Sequence, residues 1–140
     1  MILDTSGLFA FFDTSDRHHN EVAEVMAQRD GPFTISPFVI AELDYLVATR
    51  LGTEEQLAML REIGSGAYDH APLDEGQFSR AVAVVERYRD LDIGITDASL
   101  VVLAGSHPTN EVLTIDERHF RALRTEGGEP FRLLPADRSG

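Results

Sequence analysis

The sequence predicts an α/β fold in which helices cover both faces of a mainly parallel sheet. Short apolar runs alternate with longer stretches whose apolar residues recur at helical spacing, a pattern typical of β-α-β units. The 140 residues fit a single domain, and no internal repeat, low-complexity stretch or linker divides them. We therefore expect one domain over residues 1–140, with a core to about residue 135 and a polar C-terminal tail.

The first half of the chain predicts two strands and four helices. Residues 1–4 form a short apolar run that ends in an acid and predict a buried strand, followed by a turn and a helix over 8–12. A second helix stops near Gly31, residues 33–35 predict the second strand, and Ser36-Pro37 and Thr53 begin two further helices. The expected inward-facing residues of the second, third and fourth helices are Val22, Val25 and Met26, then Val39, Leu43, Leu46 and Val47, then Leu57, Leu60 and Ile63.

The second half continues the alternation. Residues 68–73 predict a strand and residues 74–91 a helix, whose apolar side is formed by Phe78, Ala81, Val82, Val85 and Tyr88. The segment 93–95 leads into a nearly all-apolar helix over 98–104, which is expected to be central and to stop at Gly105. Residues 111–115 predict a buried strand, 116–123 a short helix and 131–134 a final strand.

The composition excludes several kinds of chemistry. The chain has no cysteine, which excludes disulfides, zinc thiolate sites and thiol nucleophiles, and its twelve basic residues are all arginine, which excludes a phosphate-binding GK[ST] loop and a Schiff-base lysine. No basic leader precedes the first apolar run, and no run approaches the roughly 20 residues of a membrane span. We expect a cytoplasmic protein with no membrane partner. A net charge of −12 by itself argues against nucleic acid.

Four carboxylates stand where such a fold places its ligands, outside the carboxyl ends of the strands. Asp4 follows the first strand, Asp97 follows the segment 93–95, and Asp116 follows the strand at 112–115. Taken alone, Asp97 and Asp116 are explained as well by helix capping or by the helix dipole, an effect of about 0.3–1 kcal/mol. Asp4 could likewise cap the next helix.

Glu42 needs a different explanation because it lies six residues beyond the Ser36 cap. Its spacing from Val39 and Leu46 places it on or beside the apolar stripe of its helix. We expect it to be buried there, and a buried carboxylate is costly unless it is paired or binds a metal.

The four acids together predict a metal site. Two unit charges about 4 Å apart repel by about 4 kcal/mol at an effective dielectric of 20, and no lysine is available to offset this repulsion. Mg²⁺ prefers carboxylate oxygens and water as ligands, and Mn²⁺ also fits.

Four segments carry these acids in order along the chain: MILDTSGLFAFFD, ISPFVIAELDYLVATR, GITDASLVVLA and LTIDERHF. Together they resemble the successive motifs of PIN domains, and most closely those of the VapC ribonucleases, the toxins of bacterial toxin–antitoxin pairs. The resemblance extends from Met1 to about Pro135. It implies a three-layer α/β/α sandwich, and it maps the acidic quartet of the family to Asp4, Glu42, Asp97 and Asp116 as catalytic and metal-binding residues.

The resemblance also implies an activity and partners. It implies an endoribonuclease that uses Mg²⁺, or Mn²⁺, to activate a water molecule for attack on an RNA phosphodiester. It further implies a homodimer bound to a basic antitoxin similar to VapB, whose C-terminal segment lies across the cleft. Phe9, Phe11 and Phe12 could line the antitoxin groove or a dimer interface, or could simply pack in the core.

Several further residues have two explanations each. Arg118, Arg121 and Arg124 recur at helical spacing after Asp116 and could grip phosphates or form a solvated helix face. Thr96 and Thr114 could orient a carboxylate or a water, although β-branched residues are also common at strand ends. The five histidines show no ligand spacing and are expected at the surface or around the site: His18, His19, His70, His107 and His119.

Three other functions compete with a toxin nuclease. A phosphatase with an aspartate nucleophile fits Asp4, but its D-x-D-x-T signature fails because position 6 is Ser6. A PIN-like module could bind RNA or a protein without cutting, and a housekeeping nuclease could process RNA without acting as a toxin.

Overall fold

A computed structural model describes residues 1–138 and confirms the α/β class and the parallel sheet. Five short strands form one sheet in the order β3-β2-β1-β4-β5, and all four neighbouring pairs are parallel. The strands are β1 (Ile2–Leu3), β2 (Thr34–Ile35), β3 (Asp69–His70), β4 (Glu111–Leu113) and β5 (Arg132–Leu134).

Helices occupy most of the chain between the strands. They are α1 (Thr5–Phe12), α2 (His19–Ala27), α3 (Pro37–Arg50), α4 (Thr53–Ile63), α5 (Glu75–Arg87), α6 (Ile95–Ser106) and α7 (Glu117–Ala122), with one 3₁₀ turn at Arg89–Leu91. The predicted cap of α3 is confirmed, because the Ser36 hydroxyl accepts a hydrogen bond from the Phe38 N–H (3.1 Å). Within the described residues, no helix combines the length and the apolar character needed to cross a bilayer.

The strand order places the helices in two layers. Connections between parallel strands are right-handed, and the chain moves in one direction from β1 to β3 and in the other from β3 to β5. Helices α1–α4 therefore cover one face and α5–α7 the other, which confirms the predicted three-layer sandwich. The core between the layers includes the fully buried strand residues Ile2, Leu3, Ile35, Val112 and Leu133.

Two of the predicted elements differ in the structure. The helix predicted over 98–104 is longer: Gly94 is its N-cap, α6 runs from Ile95 to Ser106, and Asp97 lies in its first turn. The strand predicted at 68–73 is reduced to the two exposed residues of β3, because only Asp69 and His70 pair in register with β2 at this edge of the sheet.

Some residues predicted to face the core do not. On α4, Ile63 is buried as predicted, but Leu57 is exposed and Met59 faces the core in its place. On α5, Phe78 and Val82 are exposed while Ala81 and Val84 are buried. Both helices lie at the periphery, so an apolar residue at the margin of the stripe can remain in solvent.

The predicted polar C-terminal tail is partly anchored to the sheet. Asp137 accepts a hydrogen bond from the Leu133 N–H of β5 (2.8 Å), and residues 139 and 140 lie outside the described residues.

Gly7 allows α1 to pack closely against β4. A Cβ atom at this position would lie 2.6 Å from the carbonyl oxygen of Leu113, a distance that requires the backbone of one element to move. Since Asp4 precedes α1 and Asp116 follows β4, this close contact also fixes how near the two acids can come.

We expect Gly7→Ala to destabilise the protein by about 1–3 kcal/mol, the usual cost of overpacking a well-packed core. Urea denaturation followed by far-UV circular dichroism measures the effect. The matched control is Gly76→Ala in the exposed first turn of α5, where the same change gains helix propensity and is expected to be neutral or stabilising. Equal stability of the two variants would contradict this account of Gly7.

Candidate functional site

The candidate site lies at the carboxyl edge of the sheet, where the strand order changes direction. Strand β1 lies between β2 and β4, so the connections that leave β1 and β4 run to opposite sides and open a crevice between them. Asp4 follows β1 directly, and its N–H donates to the Leu113 carbonyl of β4 (3.0 Å). The carboxyl ends of these strands are therefore adjacent, as the sequence predicted.

Asp4 is the most deeply buried acid of the site, with 4% of its surface exposed. Its Oδ2 accepts hydrogen bonds from the hydroxyls of Ser6 and Thr114, each at 2.8 Å. Burial raises the pKa of Asp4, and the two hydroxyl bonds only partly oppose this effect. Thr114 therefore orients a carboxylate, the first of the two roles that its sequence position left open.

Glu42 lies at the rim of the crevice and is exposed, so the expectation that it is buried on the apolar stripe is wrong. The buried positions of α3 are Val39, Leu43 and Val47, which are four residues apart and form a narrower stripe than the sequence suggested. Glu42 is rotated away from this stripe toward α6, where its Oε2 accepts a hydrogen bond from the Thr96 hydroxyl (3.3 Å).

A buried pair of hydroxyls holds α3 beside α6 at this edge. The hydroxyls of Ser36, the cap of α3, and Ser99 on α6 lie 3.1 Å apart, and Ser99 also donates to the Thr96 carbonyl (2.6 Å). Because these side chains are fully buried and satisfied, they fix the position of α6 and hence of Asp97.

Asp97, Asp116 and His119 form a compact cluster. The Nδ1 atom of His119 lies 2.9 Å from Asp97 Oδ2 and 3.2 Å from Asp116 Oδ2, and one ligand atom from each residue falls within 4.8 Å of the others. Asp116 also caps α7, since its Oδ1 accepts from the His119 N–H (3.4 Å). The capping explanation of Asp116 and its place in the cluster are therefore both correct.

His119 was expected at the surface or around the site, but its place within the cluster was not predicted. Five scattered histidines gave no ligand pattern along the chain, but an Asp-x-x-His spacing at the start of a helix places the two side chains on one side of the first turn. This i, i+3 relation was the available signal.

The four predicted acids line one cleft of about 260 Å³. Asp4, Glu42, Asp97 and Asp116 share it with His119, and no arginine lines it among residues 1–138. A larger cavity of about 610 Å³ lies at the amino ends of the strands, but there the carboxylate of Glu111 is already neutralised by Arg29 (2.8 Å) and Arg132 (2.7 Å). Of these two cavities, the cleft at the carboxyl edge is the one that gathers four acids and is lined by no arginine among the described residues.

The electrostatics of this cleft favour a bound cation. Burial, and next the negative charge of Asp4, raises the pKa of Asp97 to about 6, and Asp116 adds to the increase. A divalent cation would offset the repulsion among these acids, and the available donors are mainly the carboxylate oxygens that hard cations prefer. The residues present therefore fit a metal ion.

The three arginines of the predicted helix face differ in their surroundings. Arg121 is held by Glu117 (2.9 Å) and Asp137 (2.7 Å), and the Arg124 guanidinium donates to the carbonyls of Arg121 and Leu123. Arg118 is exposed beside His119 at the edge of the cleft. Phe9, Phe11 and Phe12 are half-buried and pack against the core.

A family model, a relative of known sequence and several solved structures all relate the chain to the same group of proteins. Residues 1–125 match the PIN domain family. The chain is 45% identical to Ribonuclease VapC26 of Mycobacterium tuberculosis over 135 residues, which cover 96% of this chain and all of the relative. Among solved structures, it is similar to M. tuberculosis VapC20, a toxin described as cleaving the sarcin-ricin loop (TM-score 0.77, 17% identity, 82% of this chain and 88% of the other). It is also similar to DNA-bound VapBC from Salmonella typhimurium (TM-score 0.65, 22% identity, 94% and 96%).

The raised pKa of Asp97 predicts how the stability of the metal-free protein depends on pH. Between pH 3.8 and about 6, Asp97 keeps its proton in the folded state and loses it in the unfolded chain, so its contribution to the free energy of unfolding falls as the pH rises. Asp97→Asn removes this contribution. From pH 4 to pH 7, we expect the variant to gain up to about 3 kcal/mol relative to the wild type.

Urea denaturation in EDTA at pH 4, 5, 6 and 7 measures this difference. Asp30→Asn, which changes an exposed acid between α2 and β2, is the matched control and should show no such trend. A difference in the free energy of unfolding between Asp97→Asn and wild type that stays constant from pH 4 to pH 7 would show that burial does not raise the pKa of Asp97.

Proposed function

The chain belongs to the PIN-domain family, and from this premise we propose that it is a metal-dependent endoribonuclease and the toxin of a toxin–antitoxin pair. The observation that carries the proposal is the convergence of Asp4, Glu42, Asp97 and Asp116 on one cleft that no arginine lines among the described residues. A module that only binds a partner has no need for this unfavourable concentration of charge. The 45% identity to a ribonuclease over nearly the whole chain supports the same activity.

The four acids are the proposed catalytic residues, and together they would hold the metal. Mg²⁺ is the proposed ion because the donors are predominantly carboxylate oxygens, and Mn²⁺ fits the same donors. When bound, the cation supplies positive charge that makes a water molecule more acidic and stabilises negative charge on the phosphate and the leaving oxygen.

The side chains of the cleft then have distinct tasks in RNA hydrolysis, in which a water oxygen bonds to phosphorus, the bond from phosphorus to the ribose oxygen breaks, and that oxygen takes up a proton from solvent. Ser6 and Thr114 hold the Asp4 carboxylate in one orientation through its Oδ2. Thr96 orients Glu42, whose exposed carboxylate can accept the proton of the attacking water and pass it to solvent. No histidine base or serine nucleophile is required for this reaction.

An RNA substrate is compatible with the net charge of −12 because the negative charge at the cleft is offset when the metal is bound. Of the three arginines near the site, Arg118 is the one we assign to a substrate phosphate, since Arg121 is held by two acids. Because its substrate is cellular RNA, we place the protein in the cytoplasm.

The proposed partner is a basic antitoxin, complementary to the acidic surface of the toxin. One of the solved structures of similar fold is a VapBC complex, which supports an antitoxin partner. The proposed assembly is a homodimer, and it is supported by a group of apolar side chains at the surface of α3 and α5, where Phe38 and the exposed Phe78 are in edge contact beside Val82.

We expect Asp4→Asn and Asp97→Asn to lower the rate of RNA cleavage by more than about 100-fold, beyond the usual loss for an outer-shell partner of a metal ligand. Cleavage of a labelled single-stranded RNA in Mg²⁺ or Mn²⁺ measures the effect, and EDTA should stop the reaction. Asp44→Asn is the matched control because Asp44 lies on the same helix as Glu42 but accepts from Gln56 on α4 (2.7 Å). Undiminished cleavage by either cleft variant would remove that residue from the catalytic set.

The toxin role predicts a phenotype. Expression of the wild-type chain in a bacterial host should arrest growth, and co-expression of the small basic protein encoded beside its gene should restore it. The Asp4→Asn variant, expressed to the same level, is the control and should allow growth. Cleavage in vitro without growth arrest would favour a housekeeping nuclease.

A further inference from the structure

We propose that His119 is a positioning residue, whose Nδ1–H donates a hydrogen bond to Asp97 and so sets the distance between Asp97 and Asp116 for the metal. This inference rests on the proposed function, because it concerns the same site. It assigns a role to a side chain outside the acidic quartet.

The geometry places one imidazole between two acids on different helices. Asp97 lies in the first turn of α6, whereas Asp116 precedes α7, and the His119 Nδ1 atom is 2.9 Å from one carboxylate and 3.2 Å from the other. The backbone N–H of the same residue donates to Asp116 Oδ1 (3.4 Å). The ring of His119 thus hydrogen-bonds to Asp97 and also lies close to Asp116, whose other oxygen accepts from the His119 backbone.

The environment of the ring determines which nitrogen carries the proton. The Nε2 atom lies 3.3 Å from Nη2 of Arg118, and a guanidinium group can only donate. In the neutral ring Nε2 is thus the acceptor and Nδ1 carries the hydrogen, which points toward Asp97 Oδ2. An Nδ1 atom that already carries a proton has no lone pair for a metal, so this tautomer makes His119 a hydrogen-bond donor to a ligand rather than a ligand itself.

The position of the ring explains why such a donor is useful. The side chain is 13% exposed and the following residue, Phe120, is buried, so the ring is held in place by packing of the short helix α7. The carboxylates of Asp97 and Asp116, which lie on either side of the ring nitrogen, repel each other. An N–H group between them offsets this repulsion and keeps an oxygen of each acid directed toward the same point in the cleft. Carboxylates that bind metals are commonly fixed by such outer hydrogen bonds, and their loss costs about 10–100-fold in metal affinity.

Two substitutions distinguish the role of Nδ1 from that of Nε2. The side-chain N–H₂ of Asn can take the place of Nδ1–H, whereas the longer Gln places its N–H₂ near the position of Nε2. We expect His119→Gln to raise the dissociation constant for Mn²⁺ by about 10–100-fold, and His119→Asn to recover most of that loss. Titration of the protein with Mn²⁺, with the free ion followed by electron paramagnetic resonance, measures both constants without reference to activity.

The tautomer can be tested in the unsubstituted protein, so that the proposal does not depend on how the variants fold. Long-range ¹H–¹⁵N correlation spectra of the metal-free protein with the ring in its neutral form should show His119 protonated at Nδ1. A ring protonated at Nε2 would overturn the proposal. So would an equal loss of Mn²⁺ affinity in both variants, which is the behaviour of a direct Nδ1 ligand, or no loss in either.

Two controls keep the failure of this proposal distinct from the failure of the proposed function. His107→Gln makes the same change just beyond the opposite end of α6 and should leave the Mn²⁺ constant unchanged. Asp97→Asn should abolish tight Mn²⁺ binding. If Asp97→Asn binds Mn²⁺ as tightly as the wild type, the proposed metal site is wrong. If Asp97→Asn loses tight Mn²⁺ binding but His119→Gln binds Mn²⁺ as tightly as the wild type, only the positioning role of His119 is wrong.

Discussion

Repulsion between carboxylates that share one cleft is the constraint on which the rest of this site depends. Asp4, Asp97 and Asp116 gather where the strand order changes direction, and the charge of Asp4 is the main contribution after burial to the raised pKa of Asp97. Folding of the metal-free chain works against this repulsion, and the surrounding sandwich must supply the stability that offsets it. The same unfavourable arrangement prepares the site for a divalent cation.

Neutral donors, rather than positive charges, hold the acids in place. Ser6 and Thr114 fix Asp4, and Thr96 fixes Glu42, so each carboxylate is oriented without losing its negative charge. An arginine in the same position would have neutralised the acid and blocked the site, as Arg29 and Arg132 do for Glu111 at the other end of the sheet. The difference in arginine contacts thus distinguishes Glu111 from the proposed catalytic acids.

Close packing of the backbone brings these side chains within range of one another. Gly7 lets α1 approach β4, and the buried hydroxyls of Ser36 and Ser99 hold α3 beside α6. These contacts are distant from solvent and involve short side chains, so they tolerate little change in volume. The precision of the cleft is therefore set by residues that would take no part in the chemistry.

The sequence by itself determined the fold class, the single parallel sheet and three of the four acids at the carboxyl edge, because hydrophobic periodicity and the order of motifs are local properties of the chain. It also identified Glu42, but for a wrong reason: the apolar spacing suggested burial, and only the packing of α3 against α6 shows that this residue turns to the rim. The extension of α6 back to Ile95 was likewise not predicted, since the apolar run by which this helix was identified begins only at Ala98. His119 joined the cluster only in the tertiary structure, because α6 and α7 are separated by a strand and their contact is not encoded in any local pattern.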